Sequence, residues 1–538
     1  MKFQCKIIIF LLFSSHLTFS GGMYQSYLIR VKSNARPFSP GDQRSNISRL
    51  KDQGNSALNS LESLLKTELP KQYSTNGPRS AVSPKVKSIE KFWFINSMKV
   101  ICRFDFLEKI KAFPDVLEVV PDELVYLSTE DSGEELSFSQ NEHVSQLHDQ
   151  GITGKGVLVG VIDTGIFDHK DFKGKISAYN SFTKTGLTEQ IDPIGHGSHV
   201  SGLIVGDRHK DKQIGVAPDS KLVVARAIER VSNLGSQEAV KKRVHAFASK
   251  ILEAMQWMLD PDQDPQTDDF PKVINNSWGF PSSMPLSKSF FDGAIAKWRE
   301  LGIIPVFAAG NAGKQGENSI LFPGNSSEVI TIGALKGSEI ASFSSIGSDS
   351  LQKPDFVMQG YRAYSLMRKR NGQIDYGYQS GTSMAAPKFS AMVALMLQLD
   401  PFLKFDEIYS LIQNSSQDLG NEGYDSVYGW GNPNMLEVIQ QVKDGLREKL
   451  ISGTKSSLKY YSFYKANEKD LNNAEENIKL LERSFENFIK KVIKEQKLFL
   501  LNSWEVELNK QALLHPKHYK KLKSSFHRIK KFSDIFSD

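Results

Sequence analysis

Apolar positions along the 538-residue chain change their period from one stretch to the next, and the changes mark out the elements. Tyr27-Leu28-Ile29-Arg30-Val31 reads as a strand, and Leu58, Leu61, Leu64 and Leu65 fall on one face of a helix. Phe92 to Ile95 and Lys99 to Phe104 read as a hairpin around Asn96-Ser97, followed by a second helix from Leu107 to Phe113 and a strand from Val116 to Val120. Strand-helix-strand-strand-helix-strand is a split βαβ plan. Further on, the runs Val157 to Ile162, Val273 to Ile274 and Ile303 to Ala309 are short, rich in β-branched residues and end in turns. They predict strands buried on both faces. Ala391 to Leu399 is apolar all round and predicts a buried helix. Beyond about Gly445 the composition turns lysine-rich, and Ala474, Ile478, Leu481, Phe485, Phe488 and Val492 recur at spacings of four and three, the seam of an amphipathic helix.

Four strand-to-turn or turn-to-helix junctions carry polar side chains of a particular kind. Val157 to Ile162 runs into Asp163-Thr164-Gly165, and Gly195-His196-Gly197-Ser198-His199 opens a helical segment. Ile303 to Ala309 runs into Gly310-Asn311, and Gly381-Thr382-Ser383-Met384 precedes the buried helix. Taken singly these are a turn aspartate, a capping histidine, a turn asparagine and an N-cap serine. Taken together they are a carboxylate, a base, an oxyanion donor and a nucleophile, the set that acyl transfer requires. A serine at the start of a helix also has unpaired N–H groups and the positive dipole end beside it. His196 and His199, at i and i+3, raise the alternative of a metal, but no third cluster of matching spacing follows.

In this order the motifs resemble the subtilisin-like serine proteases, from about Gly151 to about Gly431. Asp-Thr-Gly, Gly-His-Gly-Ser-His-Val, Ala-Ala-Gly-Asn and Gly-Thr-Ser-Met-Ala-Ala-Pro all occur in family order, with Ile214 to Pro218 and Lys353-Pro354-Asp355 as further landmarks. Ser198 stands where threonine is more usual. The stretch from Trp257 to Asp262 with Val273 to Gly279 is most similar to the bacillopeptidase F branch. The resemblance implies a three-layer α/β domain with a mostly parallel sheet, preceded by a small α+β prodomain and followed by a helical extension. It implies a triad of Asp163, His196 and Ser383, with Asn311 in the oxyanion hole. It also implies that Ser277, Trp278 and Gly279 form an edge along which an extended protein or peptide substrate adds a strand. The S1 pocket would be walled by Ala308, Ala309 and Gly310, with Leu321 and Phe322 near its base, and would favour medium apolar or aromatic residues. A lipase-type hydrolase would need Gly-x-Ser-x-Gly and the order Ser, Asp/Glu, His, which this chain does not show. A pseudoprotease would lack a member of the constellation. The alternative kept is a catalytically weak relative whose tail binds a surface or scaffold.

Composition refines the frame. Met1 to Lys6 is basic, Ile7 to Phe13 apolar, and Ser14 to Gly22 small, as in a secretory signal peptide, which implies a secreted, periplasmic or cell-surface enzyme. Cys5 and Cys102 are the only cysteines, so removal of the signal leaves none to pair with Cys102. Net charge is +6, too mild an excess to imply nucleic-acid binding. The expected organisation is a signal peptide over residues 1–22, an inhibitory propeptide-like domain over 23–130, a linker over 131–141, a peptidase domain over 142–445 and a helical, lysine-rich extension over 446–538. The propeptide would act as an intramolecular inhibitor, with processing in or just before the acidic run Ser128 to Glu135. Residues 72–88 read as a solvated loop. The basic, aromatic stretch Lys517 to Lys531 could touch anionic lipid, although a helical appendage with solvated lysines is the favoured reading. No cofactor is required for the chemistry. Calcium is left open without an assigned site: Asp260, Asp262, Asp264, Asp268 and Asp269 form an acidic loop, but an EF-hand is excluded by its missing glycine and by Pro271.

Overall fold

The computed structural model describes residues 24–32, 43–70, 84–127, 144–183, 189–230, 244–265, 267–281, 287–348, 350–369 and 371–445. The expected signal peptide, linker and C-terminal extension lie outside the described residues. Two compact units are present, one ending at Asp122 and the other beginning again at Glu123.

The first unit comprises β1 (Tyr24–Val31), α1 (Gln43–Lys66) from Leu50 onward, β2 (Val86–Phe92), β3 (Ser97–Arg103), α2 (Phe104–Lys111) and β4 (Val116–Pro121). Its sheet has the order β2-β3-β1-β4, and all three pairings are antiparallel. This is the split βαβ plan. Tyr27, Ile29 and Val31 of β1 pack against Leu58, Leu61 and Leu65 of α1 in one core. Several boundaries differ from the sequence reading, and residues 86–88, read as loop, already belong to β2. Trp93 to Ile95 is a 3-10 turn rather than strand, because Asn96 takes a left-handed conformation (φ 48°) and closes the hairpin tightly. Phe104 begins α2 instead of ending β3 and is exposed.

The second unit opens with β5 (Leu124–Leu127) and α3 (Val144–His148). It continues through β6 (Leu158–Asp163), β7 (Ile176–Ser181), α4 (His196–Val205), β8 (Lys221–Arg226), β9 (Glu229–Arg230), β10 (Val244–Phe247), α5 (Ala248–Trp257), β11 (Val273–Asn276) and α6 (Lys288–Glu300). The remaining elements used below are β12 (Ile304–Ala308), β13 (Ile330–Lys336), β14 (Glu339–Ile340), β15 (Phe356–Gln359), β16 (Ala363–Arg368), β17 (Ile374–Gln379), α7 (Thr382–Leu399) and α8 (Phe405–Asn414). The central sheet runs β14-β13-β12-β11-β6-β8-β7, with β15 also paired to β13. All pairings except β13 with β14 are parallel.

Helices cover both faces. Val159 and Val161 of β6 belong to the core that holds α4 and α7. On the other face, a Cβ built on Gly160 would lie 3.1 Å from Met258 Sδ, just past α5. A parallel sheet covered in this way reads as continuous apolar runs, which is why its strands were legible. The strand order reverses between β6 and β11: β7 and β8 lie on one side of β6, and the strands from β11 onward lie on the other. Open α/β sheets place ligands at that crevice, outside the carboxyl ends of the strands.

Candidate active site

Asp163 ends β6, and Asn276 ends the neighbouring strand β11, so the switch point is bounded by Asp163 and Ser277. Asp163 is fully buried; its Oδ1 accepts hydrogen bonds from the Thr164 N–H at 2.7 Å and from His196 Nδ1 at 2.7 Å. Because a carboxylate oxygen faces Nδ1, that nitrogen carries the proton and Nε2 is left as the basic site. Burial pulls the His196 pKa down, but the charge and hydrogen bond of Asp163, helped by Asp192, outweigh it, and the net value is raised above 6.5.

His196 is the first residue of α4, and the loop before it is organised by a residue that the sequence did not single out. Asp192 is buried; its Oδ1 accepts from Thr164 Oγ1, Ile194 N and Gly195 N at 2.9, 3.1 and 2.7 Å. Its Oδ2 accepts from Ser198 N at 2.8 Å and Ser198 Oγ at 2.7 Å. The Gly197 N–H then donates to Thr164 Oγ1 at 2.8 Å. The first turn of α4 is thereby capped from outside the helix and tied to the residue after Asp163. Ser198 supplies the hydroxyl that this network needs and also accepts from the Phe167 N–H at 3.0 Å. An acid four residues before His196 was the available signal. His199, by contrast, is buried in the protein interior, where burial and then the neighbouring His196 push its pKa down to about 3.

Ser383 sits in the first turn of α7, a helix buried along its whole length. Its hydroxyl donates to the Ser277 carbonyl at 3.2 Å, and the Ser277 hydroxyl returns a bond of 3.0 Å to the Ser383 carbonyl. The second bond has a cause inside the helix. Pro387 has no N–H for the carbonyl four residues back, which is that of Ser383, and Ser277 supplies the missing donor.

Asn311 follows β12 after Ala309 and Gly310. Its Oδ1 accepts from the Thr382 N–H at 3.0 Å and from Thr382 Oγ1 at 3.1 Å. A backbone N–H can only donate, so the amide oxygen is fixed on that side and Nδ2 points the other way. A Cβ built on Gly381 would lie 3.2 Å from Asn311 Nδ2 and 3.6 Å from Ser383 N. Two donors therefore border the space that the glycine leaves open, with Asn311 Oδ1, 3.7 Å from that Cβ, turned to Thr382, and the Ser383 N–H, being in the first turn, has no carbonyl one turn back.

The remaining residues implied by the resemblance fall into two groups. Ala308, Ala309 and Gly310 continue β12 toward Asn311, and the Gly310 N–H donates to Thr382 Oγ1 at 3.1 Å. Gly279 and Leu321 are in contact beside them. Trp278 and Phe322 instead enter an aromatic cluster with Phe280 and Phe291, both only a few per cent exposed. In the acidic loop, ligand atoms of Asp260, Asp262 and Asp269 lie within 4.8 Å of one another. They offer the hard oxygens that calcium takes, though three carboxylates fall short of its usual six to eight ligands. Among the described residues, no helix is long and apolar enough to cross a membrane.

A central sheet carries a buried Asp-His pair at its switch point, and a serine in the first turn of a helix is bonded to Ser277 just past the neighbouring strand, an arrangement shared by α/β serine hydrolases. The subtilase family model matches residues 154–431, and the chain belongs to that family. Among curated relatives, bacillopeptidase F of Bacillus subtilis (strain 168) is 28% identical over 400 residues, 66% of this chain and 27% of its own length. Serine protease AprX of the same organism is 30% identical over 342 residues, 58% of this chain and 72% of the relative. Subtilisin E is 28% identical over 371 residues, 67% of this chain and 86% of the relative. The chain thus spans little more than a quarter of bacillopeptidase F and most of the shorter relatives.

Proposed function

We propose that the protein is a secreted serine endopeptidase that cleaves peptide bonds through an acyl-enzyme. The observation that carries this reading is the 2.7 Å bond from His196 Nδ1 to Asp163, made at the same crevice end that holds Ser383. Ser383 Oγ attacks the scissile carbonyl while His196 Nε2 takes its proton, and the imidazolium formed is stabilised by Asp163. The Ser383 hydroxyl, resting on Ser277 O, turns to Nε2 when substrate is bound, since catalytic hydrogen bonds commonly tighten only in the complex. The tetrahedral oxyanion is held by Asn311 Nδ2 and the Ser383 N–H, whose convergence around Gly381 supports the assignment. His196 then returns the proton to the leaving amine, and water releases the acyl group by the same steps. Substrates are proteins or peptides in extended form. No step uses a metal; the Asp260 cluster would serve structure if it holds calcium.

We further propose that the enzyme is made as a zymogen, with the N-terminal unit as its inhibitor. Immediately after that unit the chain enters β5, which pairs antiparallel with β10 from Leu127 opposite Val244 to Leu124 opposite Phe247. An extended segment added to an edge strand is how a peptide substrate would bind, so β5 supports a product-like tail with cleavage shortly beyond Leu127. Secretion rests on the signal-like N-terminus. The test is labelling with a serine-directed fluorophosphonate together with peptide hydrolysis, for wild type and Ser383→Ala. Loss of both in the variant, with accumulation of the unprocessed chain, is the expected result; undiminished turnover by Ser383→Ala refutes the mechanism.

A further inference from the structure

The two segments that flank Ser383 leave the sheet side by side. β11 and β12 are parallel neighbours, with Asn276 opposite Phe307, and beyond them run residues 277–279 and 308–310. One begins at Ser277, bonded to Ser383 in both directions, and the other ends at Asn311, beside the proposed oxyanion site. The resemblance places the side chain of the residue whose carbonyl meets Ser383 and Asn311 in the slot between these segments.

Leu321 lies across that slot. A Cβ built on Gly310 would lie 2.4 Å from Leu321 Cγ and 2.7 Å from Cδ1, and one built on Gly279 would lie 2.8 Å from Leu321 Cβ. Contacts under 3 Å are not tolerated, so Leu321 touches both walls where each is glycine. Gly310 also has φ 106°, which disfavours any other residue there. The two glycines are thus accounted for by Leu321 itself, and the room they leave is already taken. The leucine is also held in place: its N–H donates to Ala309 O at 2.9 Å, and the next residue, Phe322, pairs with Phe280 in both directions at 2.9 and 2.7 Å.

We infer that Leu321 is the floor of a shallow S1 pocket and that this enzyme cleaves after small residues, Gly, Ala or Ser. The resemblance alone implies medium apolar or aromatic side chains; the packing of Leu321 against both walls argues for smaller ones. The inference rests on Ser383 as the nucleophile. Misfit in an apolar pocket discriminates by about 10- to 200-fold per methylene-sized difference, so kcat/KM for a P1 Ala peptide should exceed that for P1 Phe by at least about tenfold.

The experiment uses the enzyme obtained by expressing the full chain, with active sites counted by fluorophosphonate labelling and a peptide series varied only at P1. Wild type should favour Ala over Phe, and Leu321→Gly should move the Phe-to-Ala ratio upward by at least about tenfold, with Leu321→Ala intermediate. Labelling per mole shows that each variant is folded, and Leu321→Ala carries the test should the glycine variant fail to fold. Wild type that favours Phe, or ratios unmoved in both labelled variants, overturns the inference while leaving the mechanism intact. Absence of labelling at Ser383 in wild type overturns both.

Discussion

Lys388 gives the sharpest physical test of the packing around α7. It lies on α7, five residues past Ser383, is 1% exposed, and donates to the Gln359 carbonyl at 3.0 Å. Burial pushes its pKa from the ordinary lysine value of 10.5 down to about 8. At about 1.36 kcal/mol per pH unit, that drop makes the buried ammonium cost about 3 kcal/mol of folding stability wherever both states are protonated. Below pH 8 the full cost is present. Between about pH 8 and 10.5 the folded protein has released the proton that the unfolded chain still holds, so stability contributed at this site rises with pH; above 10.5 it is level. Lys388→Met removes the titration and loses the bond to Gln359 O, a loss of about 1–3 kcal/mol independent of pH. Relative to the methionine variant, the lysine protein should therefore gain about 3 kcal/mol between pH 7 and 10.5. Urea unfolding followed by tryptophan fluorescence measures it, with both proteins carrying Ser383→Ala to prevent self-digestion. Other titrating groups are common to the two and cancel. Stability curves that stay parallel across this range would show that Lys388 is not a buried charge and refute the argument.

Three further outcomes follow from the site. Asp163→Asn removes the charge that lifts the His196 pKa and leaves burial in control, so the acid limb of kcat/KM should move to lower pH while kcat falls by about 10⁴; a limb that stays in place would show that Asp163 does not set the titration. Asn311→Ala should lower kcat by about 10² to 10³ with little change in KM, the range known for the corresponding donor in subtilisin, and a rise in KM at constant kcat would make it a substrate-binding residue instead. Ser277→Ala leaves the Ser383 carbonyl without its hydroxyl partner and should cost about 1–3 kcal/mol in stability, whereas an unchanged urea midpoint would mean that another donor takes over.

What the sequence disclosed about this site was whatever depends on local chemistry. Asp163, His196, Asn311 and Ser383 each stand where a strand or turn meets glycine, and their order is readable along the chain. The partners that orient them were harder to read, because each is recognisable only by what it meets in the fold. Asp192 reads as one more loop acid until its two oxygens are seen bonding Thr164 on one side and the first turn of α4 on the other. Leu321 was placed near the base of the S1 pocket by the resemblance, but that it fills the space between two glycines beyond β11 and β12 shows only in the packing. In the N-terminal unit the misplaced element, Trp93 to Ile95, had strand composition but was turned by Asn96, a residue that accepts the left-handed conformation.

Pro387 shows how such distant dependence arises. A proline inside an otherwise uninterrupted buried helix violates local propensity, and in isolation it argues for a helix boundary at Ala386. The helix nevertheless continues from Thr382 to Leu399. The one intrahelical bond it forfeits is to the carbonyl of Ser383, and the donor that replaces it comes from Ser277, at the end of the strand next to Asp163. The defect thus fastens the first turn of the helix to the switch point of the sheet. A regular helix would satisfy that carbonyl internally and leave Ser383 positioned by α7 alone. With proline, the residue bearing the proposed nucleophile is held by both elements, and its hydroxyl rests on the carbonyl of the residue that holds it.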